Sequence, residues 1–311
     1  MLKIGVLRGR ENSFPDGFIA KVNEMGGGEI IAEYIQLGGT KLNEPCPYAV
    51  ILDRMSHEVA YYVVYVKAAM LQGTYVINNP FWRSADDKFF GYAVAEKLGF
   101  RSPKTLVLPN REYVDDVTPE SLRNLWPIDF TAALEAVGCP AIMKPAFGGG
   151  WKNVHKINSV EELVARYDES GQLTMMLQEF ISWDDYIRVP TIGRKYARAI
   201  RYIPRPMGAG EYVQDLGVLS QDLRDRSEQM SLRINEFLGY DMNALEFALK
   251  DGELYGIDLT NYVCDFDARS LRDAHFPWVV EKMASFAIEK ARERADSRLP
   301  GNWEHLITGR R

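Results

Sequence analysis

The amino-acid sequence predicts a three-lobed protein of mixed α/β and α+β class. Its 311 residues exceed what one small core accommodates and suit lobes of roughly 100 residues each. Strand-like and helix-like runs alternate in the first quarter, whereas the last third has the period-two alternation of an antiparallel sheet. Apolar residues make up 46% and charged residues 26% of the chain, which excludes disordered, collagen-like and coiled-coil classes.

The first lobe is expected to span residues 1–79 as a small α/β sheet. Its strand-like runs alternate with helical runs, a pattern that predicts a sheet covered on both faces. The last strand ends at Asn78-Asn-Pro80, where the fixed φ of proline forces an extended turn. We therefore expect the chain to leave the first sheet at this point.

The middle and third lobes are expected to span residues 80–180 and 181–311. The middle lobe opens with a helical run from Ser84 to Leu98 and contains a glycine turn. In the third lobe Asp251-Gly252 separates two alternating runs, and this dipeptide predicts a hairpin because it readily takes positive φ. Two helical runs complete the third lobe: Gln221–Phe237 and Trp278–Arg294.

Composition limits the partners and the compartment. The formal net charge of -6 argues against a broad polyanion-binding surface, so nucleic acid is not expected as a partner. Three widely spaced cysteines fit reduced thiols. The N-terminus lacks the features of an export signal, and the most apolar run, residues 60–77, is interrupted by Lys67, Gln72 and Gly73. A cytoplasmic protein without a membrane partner is expected.

A lysine next to a glycine loop is the most informative local pattern. The strand-like run Ala141-Ile-Met-Lys144 is followed closely by Gly148, Gly149 and Gly150. Such a loop brings backbone N–H groups close to phosphate oxygens, while the lysine supplies a positive charge. Taken alone, the pattern also fits an ordinary glycine turn beside a solvated lysine.

Further motifs follow in a fixed order and carry a resemblance to a known family. Asp87-Lys88 lies on the helical run, Gln178-Glu-Phe-Ile181 ends a strand, and Glu246, Asp258 and Asn261 lie on or after the predicted hairpin. With Lys144 and its loop, residues 75–265 resemble the ATP-grasp superfamily, most closely its glutathione-synthetase-like and RimK-like carboxylate-amine ligases. The resemblance implies an ATP-grasp fold with an N-terminal Rossmann-like lobe, a central lid lobe and a C-terminal antiparallel-sheet lobe.

The resemblance implies a nucleotide site between two lobes. Lys88 and Lys144 would approach one triphosphate from two sides, under the glycine loop. The run from Gln178 to Ile181 would read the adenine edge and sandwich its ring, and Asp184 or Asp185 would hold the ribose. The implied nucleotide-binding residues are Lys88, Lys144, Gly148, Gly149, Gly150, Gln178, Glu179, Phe180, Ile181, Asp184 and Asp185. Without the other motifs, Leu177–Ile181 would be interpreted as a core strand end.

Glu246 and Asp258 are expected at facing positions across the hairpin, where two carboxylates repel unless a cation compensates. Magnesium, or manganese as an alternative, prefers such oxygen ligands, and Asn261 would supply a third. The family commonly has an acid-x-Asn motif, whereas this chain has Asp258-Leu-Thr-Asn261, so Thr260 occupies the expected position. A solvated hairpin with surface acids is the alternative interpretation.

Arginines from the same sheet contact the γ-phosphate or the acyl phosphate in similar ligases. Arg188 and Arg201 are the candidates, and with Lys144 they form the predicted catalytic set. Arg198 and Arg201 lie an odd number of residues apart, so a regular strand would point them to opposite faces. The family pattern favours Arg201 as the residue that faces the site.

The resulting hypothesis is an ADP-forming ligase that joins a carboxylate to an amine or thiol through an acyl phosphate. ATP and Mg²⁺ are the expected cofactors, and the substrates would be small molecules or peptides. Two alternatives stay open, namely a kinase on the same scaffold that phosphorylates a small hydroxyl substrate and a non-catalytic nucleotide-binding regulator. A homodimer through the apolar stripe of the last helical run is also left open.

Overall fold

The computed structural model describes residues 1–81, 87–205 and 210–293. Within these ranges the chain forms three β-sheets and seven α-helices. One sheet is parallel and two are antiparallel, as the mixed α/β and α+β prediction requires. No helix in the described ranges is both long and apolar enough to cross a membrane.

The first sheet is parallel and has four strands in the order β2-β1-β3-β4. Its strands and helices are β1 Leu2–Leu7, α1 Ser13–Met25, β2 Ile30–Tyr34, β3 Val50–Asp53, α2 Ala60–Leu71 and β4 Tyr75–Ile77. β3 is buried along its whole length, as expected for a parallel sheet covered on both faces. The carboxyl ends of β3 and β4 lie against the third sheet, since Arg54 after β3 and Asn78 after β4 both contact Met242.

The second sheet is antiparallel, with strand order β5-β8-β6-β7. A helix, α3 Lys88–Lys97, precedes it in the chain. Asp87 caps this helix by accepting a hydrogen bond from the Phe90 N–H; the predicted start at Ser84 lies outside the described residues. The elements are α3 Lys88–Lys97, β5 Thr105–Val107, α4 Phe130–Val137, β6 Ala141–Pro145, β7 His155–Ile157, α5 Val160–Asp168 and β8 Met175–Glu179.

The third sheet is a six-stranded antiparallel sheet in the order β12-β11-β9-β13-β14, with β10 paired to β9. Its elements are β9 Asp185–Ile192, β10 Tyr196–Ala197, β11 Ile200–Ile203, β12 Glu211–Tyr212, α6 Gln221–Leu238, β13 Met242–Lys250, β14 Glu253–Asp258 and α7 Ala268–Glu293. Asp251 and Gly252 connect β13 to β14 with φ angles of 51° and 78°. The hairpin prediction is confirmed.

A proline interrupts the strand that the sequence predicts over residues 196–203. Pro190 on β9 accepts a hydrogen bond from the Arg198 N–H at 3.1 Å but has no N–H to return. β10 and β11 nevertheless keep one register against β9, since Tyr196 lies opposite Ile192 and Ile200 opposite Arg188. The alternation of side chains between the two faces therefore continues through the gap.

The last helix differs from its prediction. α7 begins ten residues before Trp278, is interrupted at Arg272 (φ 52°, ψ -164°) and contains Pro277. Proline disfavours helical conformation at the residue before it, so the sequence pattern placed the start too late. Arg294, the predicted end, lies outside the described residues.

Two of the sheets share a hydrophobic core, and the second sheet has a core of its own. The shared core joins the first sheet, α7 and one face of the third sheet through residues such as Ile4, Met242 and Met283. The separate core of the second sheet is built around Met143 and Leu177. The boundaries of the three lobes, after residues 79 and 180, stay predictions.

Asn78 joins the first sheet to the third through its side-chain amide. Its Oδ1 accepts hydrogen bonds from the N–H groups of Asp241 and Met242, both at 2.8 Å. Its Nδ2 donates to the carbonyl oxygens of Met242 at 2.7 Å and Tyr262 at 2.9 Å. All hydrogen-bonding positions of the amide are thus used, and the start of β13 and the loop after β14 are fixed relative to β4.

Asn78→Ala should destabilise the protein by about 3 kcal/mol or more, because it leaves several buried backbone groups without partners, each costing ~1–3 kcal/mol. The measurement is urea-induced unfolding at pH 7. Asn23→Ala is the matched control, because the exposed Asn23 also bonds backbone groups, the N–H and carbonyl of Ala32. Equal losses for the two variants would contradict the joining role of Asn78.

Candidate functional site

Three charged residues lie side by side on one face of the third sheet. Glu246 on β13 pairs with Arg188 on β9 and with Asp258 on β14. Directly opposite residues of an antiparallel sheet share a face, so the three side chains lie together. The facing arrangement of Glu246 and Asp258 that the sequence predicts is present, with a bulge in the ladder next to Glu246.

The two carboxylates have different partners. Glu246 accepts a hydrogen bond from the Tyr186 hydroxyl at 2.7 Å and lies 3.5 Å from the Nε of Arg188. Asp258 has one oxygen 3.5 Å from the Nζ of Lys88, while its buried Oδ1 has no hydrogen-bond partner among the described residues. A buried carboxylate oxygen without a partner is costly, so this one fits a site for a cation.

The two predicted phosphate-binding lysines reach this cluster from different elements. Lys88 on α3 donates to the carbonyl oxygen of Gly148 at 2.6 Å. Lys144 on β6 donates to the Tyr92 hydroxyl at 2.9 Å and to the carbonyl of Ile257 at 3.2 Å. Burial lowers the pKa of Lys144, although the charges of Asp258 and Glu246 oppose this effect.

The glycine loop is open on its outer side. Gly148 and Gly150 have φ angles of 87° and 71°, and a Cβ on any of the three glycines would have no neighbour within 4 Å. The positive φ angles, not close packing, therefore require glycine here. The flanking Phe147 and Trp151 are 59% and 44% exposed.

The predicted adenine segment forms the junction between the second and third sheets. Gln178 donates to the Thr105 hydroxyl at 2.8 Å, and the Glu179 carboxylate accepts from the Lys104 N–H at 3.2 Å. The Phe180 ring lies 4.2 Å from the ammonium of Lys156. Ile181 is buried in the shared core. The role of the segment Gln178–Ile181 in adenine binding stays a prediction.

Neither of the predicted ribose carboxylates contacts the charged cluster. The exposed Asp184 accepts from the Asp251 N–H at 3.0 Å and so caps the β13–β14 turn. Asp185 accepts from Arg201 Nε at 2.9 Å. Both carboxylates have partners within the third sheet, and the ribose role stays a prediction for each.

The structure corrects the choice of the site-facing arginine. Arg201 lies opposite Ile187, one position out of phase with the Arg188–Glu246 pair, so it points to the other face of the sheet. Arg188 is the arginine in the cluster, at 7% exposure. Its guanidinium lies 5.1 Å from the Tyr202 ring centre and 5.4 Å from that of Tyr212. The family pattern favoured Arg201 because sequence alone does not tell which face is covered.

Asn261, the predicted third metal ligand, lies on the loop after β14, and the side chain of Asn243 fixes this loop. The Asn261 N–H donates to the Oδ1 of Asn243 at 2.7 Å, and Asn243 in turn donates to Asn235 and to the carbonyl of Leu259. This fixes the backbone after β14, whereas the choice between Thr260 and Asn261 as ligand stays open.

Sequence reasoning missed the tyrosines around the cluster. Tyr186 lies two residues before Arg188 and Tyr92 lies four after Lys88, spacings that place each on the same face as its charged neighbour. These spacings were a usable signal. The contribution of Tyr202 and Tyr212 was not readable, because it depends on the pairing of β11 with β9 and β12.

Comparison with solved structures identifies the fold. A RimK domain ATP-grasp protein from Sphaerobacter thermophilus DSM 20745 superposes with a TM-score of 0.63 at 19% identity, covering 92% of this chain and 99% of that one. D-alanine–D-alanine ligase from Bacillus anthracis, complexed with ATP, gives 0.62 at 17% identity over 94% and 99%. The VanG D-Ala:D-Ser ligase from Enterococcus faecalis gives 0.67 at 12% identity over 93% and 99%.

The chain therefore has the ATP-grasp fold, and the resemblance predicted from the motifs is confirmed at this level. No protein-family model matches the chain. No curated protein matches it either. The fold is thus established by structure, at sequence identities that leave the reaction and the substrates to be argued from the site.

Lys144→Met should stabilise the nucleotide-free protein, by about 1 kcal/mol. A pKa lowered in the folded state means that the charged lysine opposes folding. This penalty is complete below the folded-state pKa and disappears as pH rises through the ordinary lysine pKa. Urea unfolding at pH 7 measures the change, with Lys195→Met as a control at an exposed ion pair to Glu289. A clear loss of stability in Lys144→Met would contradict the expectation.

Proposed function

We propose that the protein is an ATP-dependent ligase that activates a carboxylate as an acyl phosphate and joins it to an amine or thiol, releasing ADP and phosphate. The observation that carries the proposal is the meeting of two buried lysines with the Glu246–Asp258 pair. Lys88 comes from α3, Lys144 from the second sheet and the acids from the third, so the cluster lies where three elements meet.

The nucleotide would lie between the second and third sheets. Its phosphates would displace the present partners of the two lysines, the carbonyl oxygens of Gly148 and Ile257, under the loop Gly148–Gly150. The adenine would lie against the segment Gln178–Ile181, with Asp184 or Asp185 near the ribose. D-Alanine–D-alanine ligase of the same fold is complexed with ATP, and the ligase PsnB with Mg and ADP, which supports this cofactor pair.

Glu246 and Asp258 fit a divalent ion, because they face each other and one buried oxygen lacks a partner. Mg²⁺, or Mn²⁺, held there with Thr260 or Asn261 would neutralise phosphate charge. Within the described residues no group of three His, Cys, Asp or Glu side chains suits a metal, so phosphate oxygens would complete the ligand set.

The side chains would act by position and charge and not by covalent chemistry. The lysines would hold the phosphates in line with the substrate carboxylate, and the Arg188 guanidinium would bind the transferred phosphoryl group through its planar fork. Its buried Nε has no hydrogen-bond partner among the described residues and lies on the same face as the acids. The glycine loop would exclude water from the acyl phosphate.

The names of proteins that share the fold support the proposed substrate class. D-Alanine–D-alanine ligase and VanG are named for small amino-acid substrates, and PsnB is complexed with a minimal precursor. A small-molecule or peptide carboxylate with an amine acceptor is therefore proposed. The cytoplasm, where ATP is abundant, is the proposed compartment.

The test combines nucleotide binding with trapping of the acyl phosphate. Mg-ADP at 100 times its dissociation constant adds about 2.7 kcal/mol and should raise the unfolding temperature by a few degrees. With ATP, Mg²⁺, hydroxylamine and a panel of carboxylic acids and alcohols, a ligase forms ADP, phosphate and a hydroxamate, whereas a kinase forms ADP and a phosphate ester of the alcohol and no hydroxamate. A non-catalytic regulator binds nucleotide and forms none of these products.

Lys144→Met and Glu246→Gln should each reduce hydroxamate formation by roughly 100-fold or more, the usual effect of removing a charge that stabilises the transition state. Lys195→Met, far from the site on the Glu289 ion pair, should retain activity. The proposal fails if the folded wild type shows no thermal shift with millimolar Mg-nucleotide.

Arg188→Lys should lower kcat by roughly 100-fold, because lysine lacks the planar fork. Arg201→Lys should retain most of the activity, since Arg201 lies on the opposite face and pairs with Asp185. Steady-state kinetics of the two variants decides the assignment. An equally large loss of kcat in Arg201→Lys would support a catalytic role for Arg201, the arginine that the family pattern favoured.

A further inference from the structure

A buried tyrosine connects the elements that supply the phosphate-binding lysines and the acids. Tyr92 lies on α3 four residues after Lys88, so both side chains project from the same face of the helix. Its hydroxyl accepts a hydrogen bond from the Lys144 ammonium at 2.9 Å and donates one to the carbonyl of Ile257 at 2.6 Å. Ile257 immediately precedes Asp258 on β14. One hydroxyl therefore links α3, β6 and β14.

The hydroxyl suits Lys144 because it is a neutral acceptor. Its own proton is used in the bond to Ile257, so its lone pairs face the ammonium. Burial, followed by the charge of Asp258, raises the pKa of Tyr92, which keeps the hydroxyl protonated. The charges of Asp258 and Glu246 also act on Lys144. Without the tyrosine hydroxyl, the ammonium would keep the Ile257 carbonyl at 3.2 Å and the attraction of these two carboxylates.

A glycine brings the helix close enough for this contact. A Cβ on Gly91 would meet the Cγ2 of Thr260 at 3.2 Å and the Cβ of Leu259 at 3.6 Å. The absence of a side chain at Gly91 therefore lets α3 pack against the residues that follow β14. The neighbouring Tyr92, at 3% exposure, can then reach the carbonyl of Ile257.

We infer that Tyr92 is a positioning residue, which holds the Lys144 ammonium towards the polyphosphate and away from the carboxylates of Glu246 and Asp258. The inference rests on the proposed function. The inference requires that the effect of the Tyr92 hydroxyl on nucleotide binding depends on the phosphates and on Lys144, and not on its bond to the Ile257 carbonyl. A side chain that merely supported the fold would affect every ligand of the cleft in the same way.

The test measures the affinities of Mg-ADP and of adenosine by titration calorimetry. Tyr92→Phe keeps the ring and removes the charge-assisted hydrogen bond from Lys144 together with the bond to the Ile257 carbonyl, which still accepts from Lys144 at 3.2 Å. Mg-ADP should therefore bind roughly tenfold more weakly, whereas adenosine, which lacks phosphates, should bind unchanged. Tyr167→Phe is the matched control, because the buried Tyr167 hydroxyl also donates to a backbone carbonyl, that of Pro109. It should change neither affinity.

A double-mutant cycle separates positioning from support. In the Lys144→Met background, Tyr92→Phe should weaken Mg-ADP no further. The inference is overturned if Tyr92→Phe binds Mg-ADP like the wild type, if it weakens adenosine equally, or if its effect persists without Lys144. If the wild-type protein binds no adenine nucleotide, the proposed function and this inference both fail. If the wild type binds Mg-ADP and only the Tyr92→Phe results differ from expectation, this inference alone fails.

Discussion

The side-chain amide of Asn78 is the interaction on which the rest of the site depends. It fixes the start of β13 at Met242 and the loop after β14 at Tyr262. Glu246 lies four residues after the first of these points, and Asp258 four residues before the second. Both proposed metal ligands therefore lie on strands whose ends are fixed by one amide from the first sheet. Only a side chain with two donors and a carbonyl acceptor can bond all four backbone groups.

Local signals predicted much of the fold. Asp251-Gly252 marked the hairpin because its conformation depends on two residues. The order of motifs along the chain, which resembles that of the ATP-grasp superfamily, singled out four residues that the structure brings together: Lys88, Lys144, Glu246 and Asp258. The face of the sheet on which Arg201 lies was predicted wrongly, for a different reason. Strand alternation fixes which residues share a face, but the face that meets the first sheet and α7 is decided by packing between distant segments.

The unpredicted parts of the site depend on long-range contacts. Tyr92 meets the carbonyl of a residue 165 positions away, and Asn78 meets backbone groups 163 to 184 positions away. A tyrosine on a helix and an asparagine before a proline have many local explanations. The spacing of Tyr92 after Lys88 indicates a shared helix face, but the partners of both side chains become visible only when the packing of distant segments is known.

The separate core of the second sheet has a thermodynamic consequence. Residues packed around Met143 and Leu177 are not part of the apolar cluster that joins the other two sheets, although Ala146 and Met176 pack against the third sheet. This part can therefore open as its own cooperative unit once those two contacts are lost. Backbone amides of β6 and β8 should then exchange with solvent at a lower free energy than those of β13. Warming or mild denaturant would impair the glycine loop and Lys144 before the molecule as a whole unfolds.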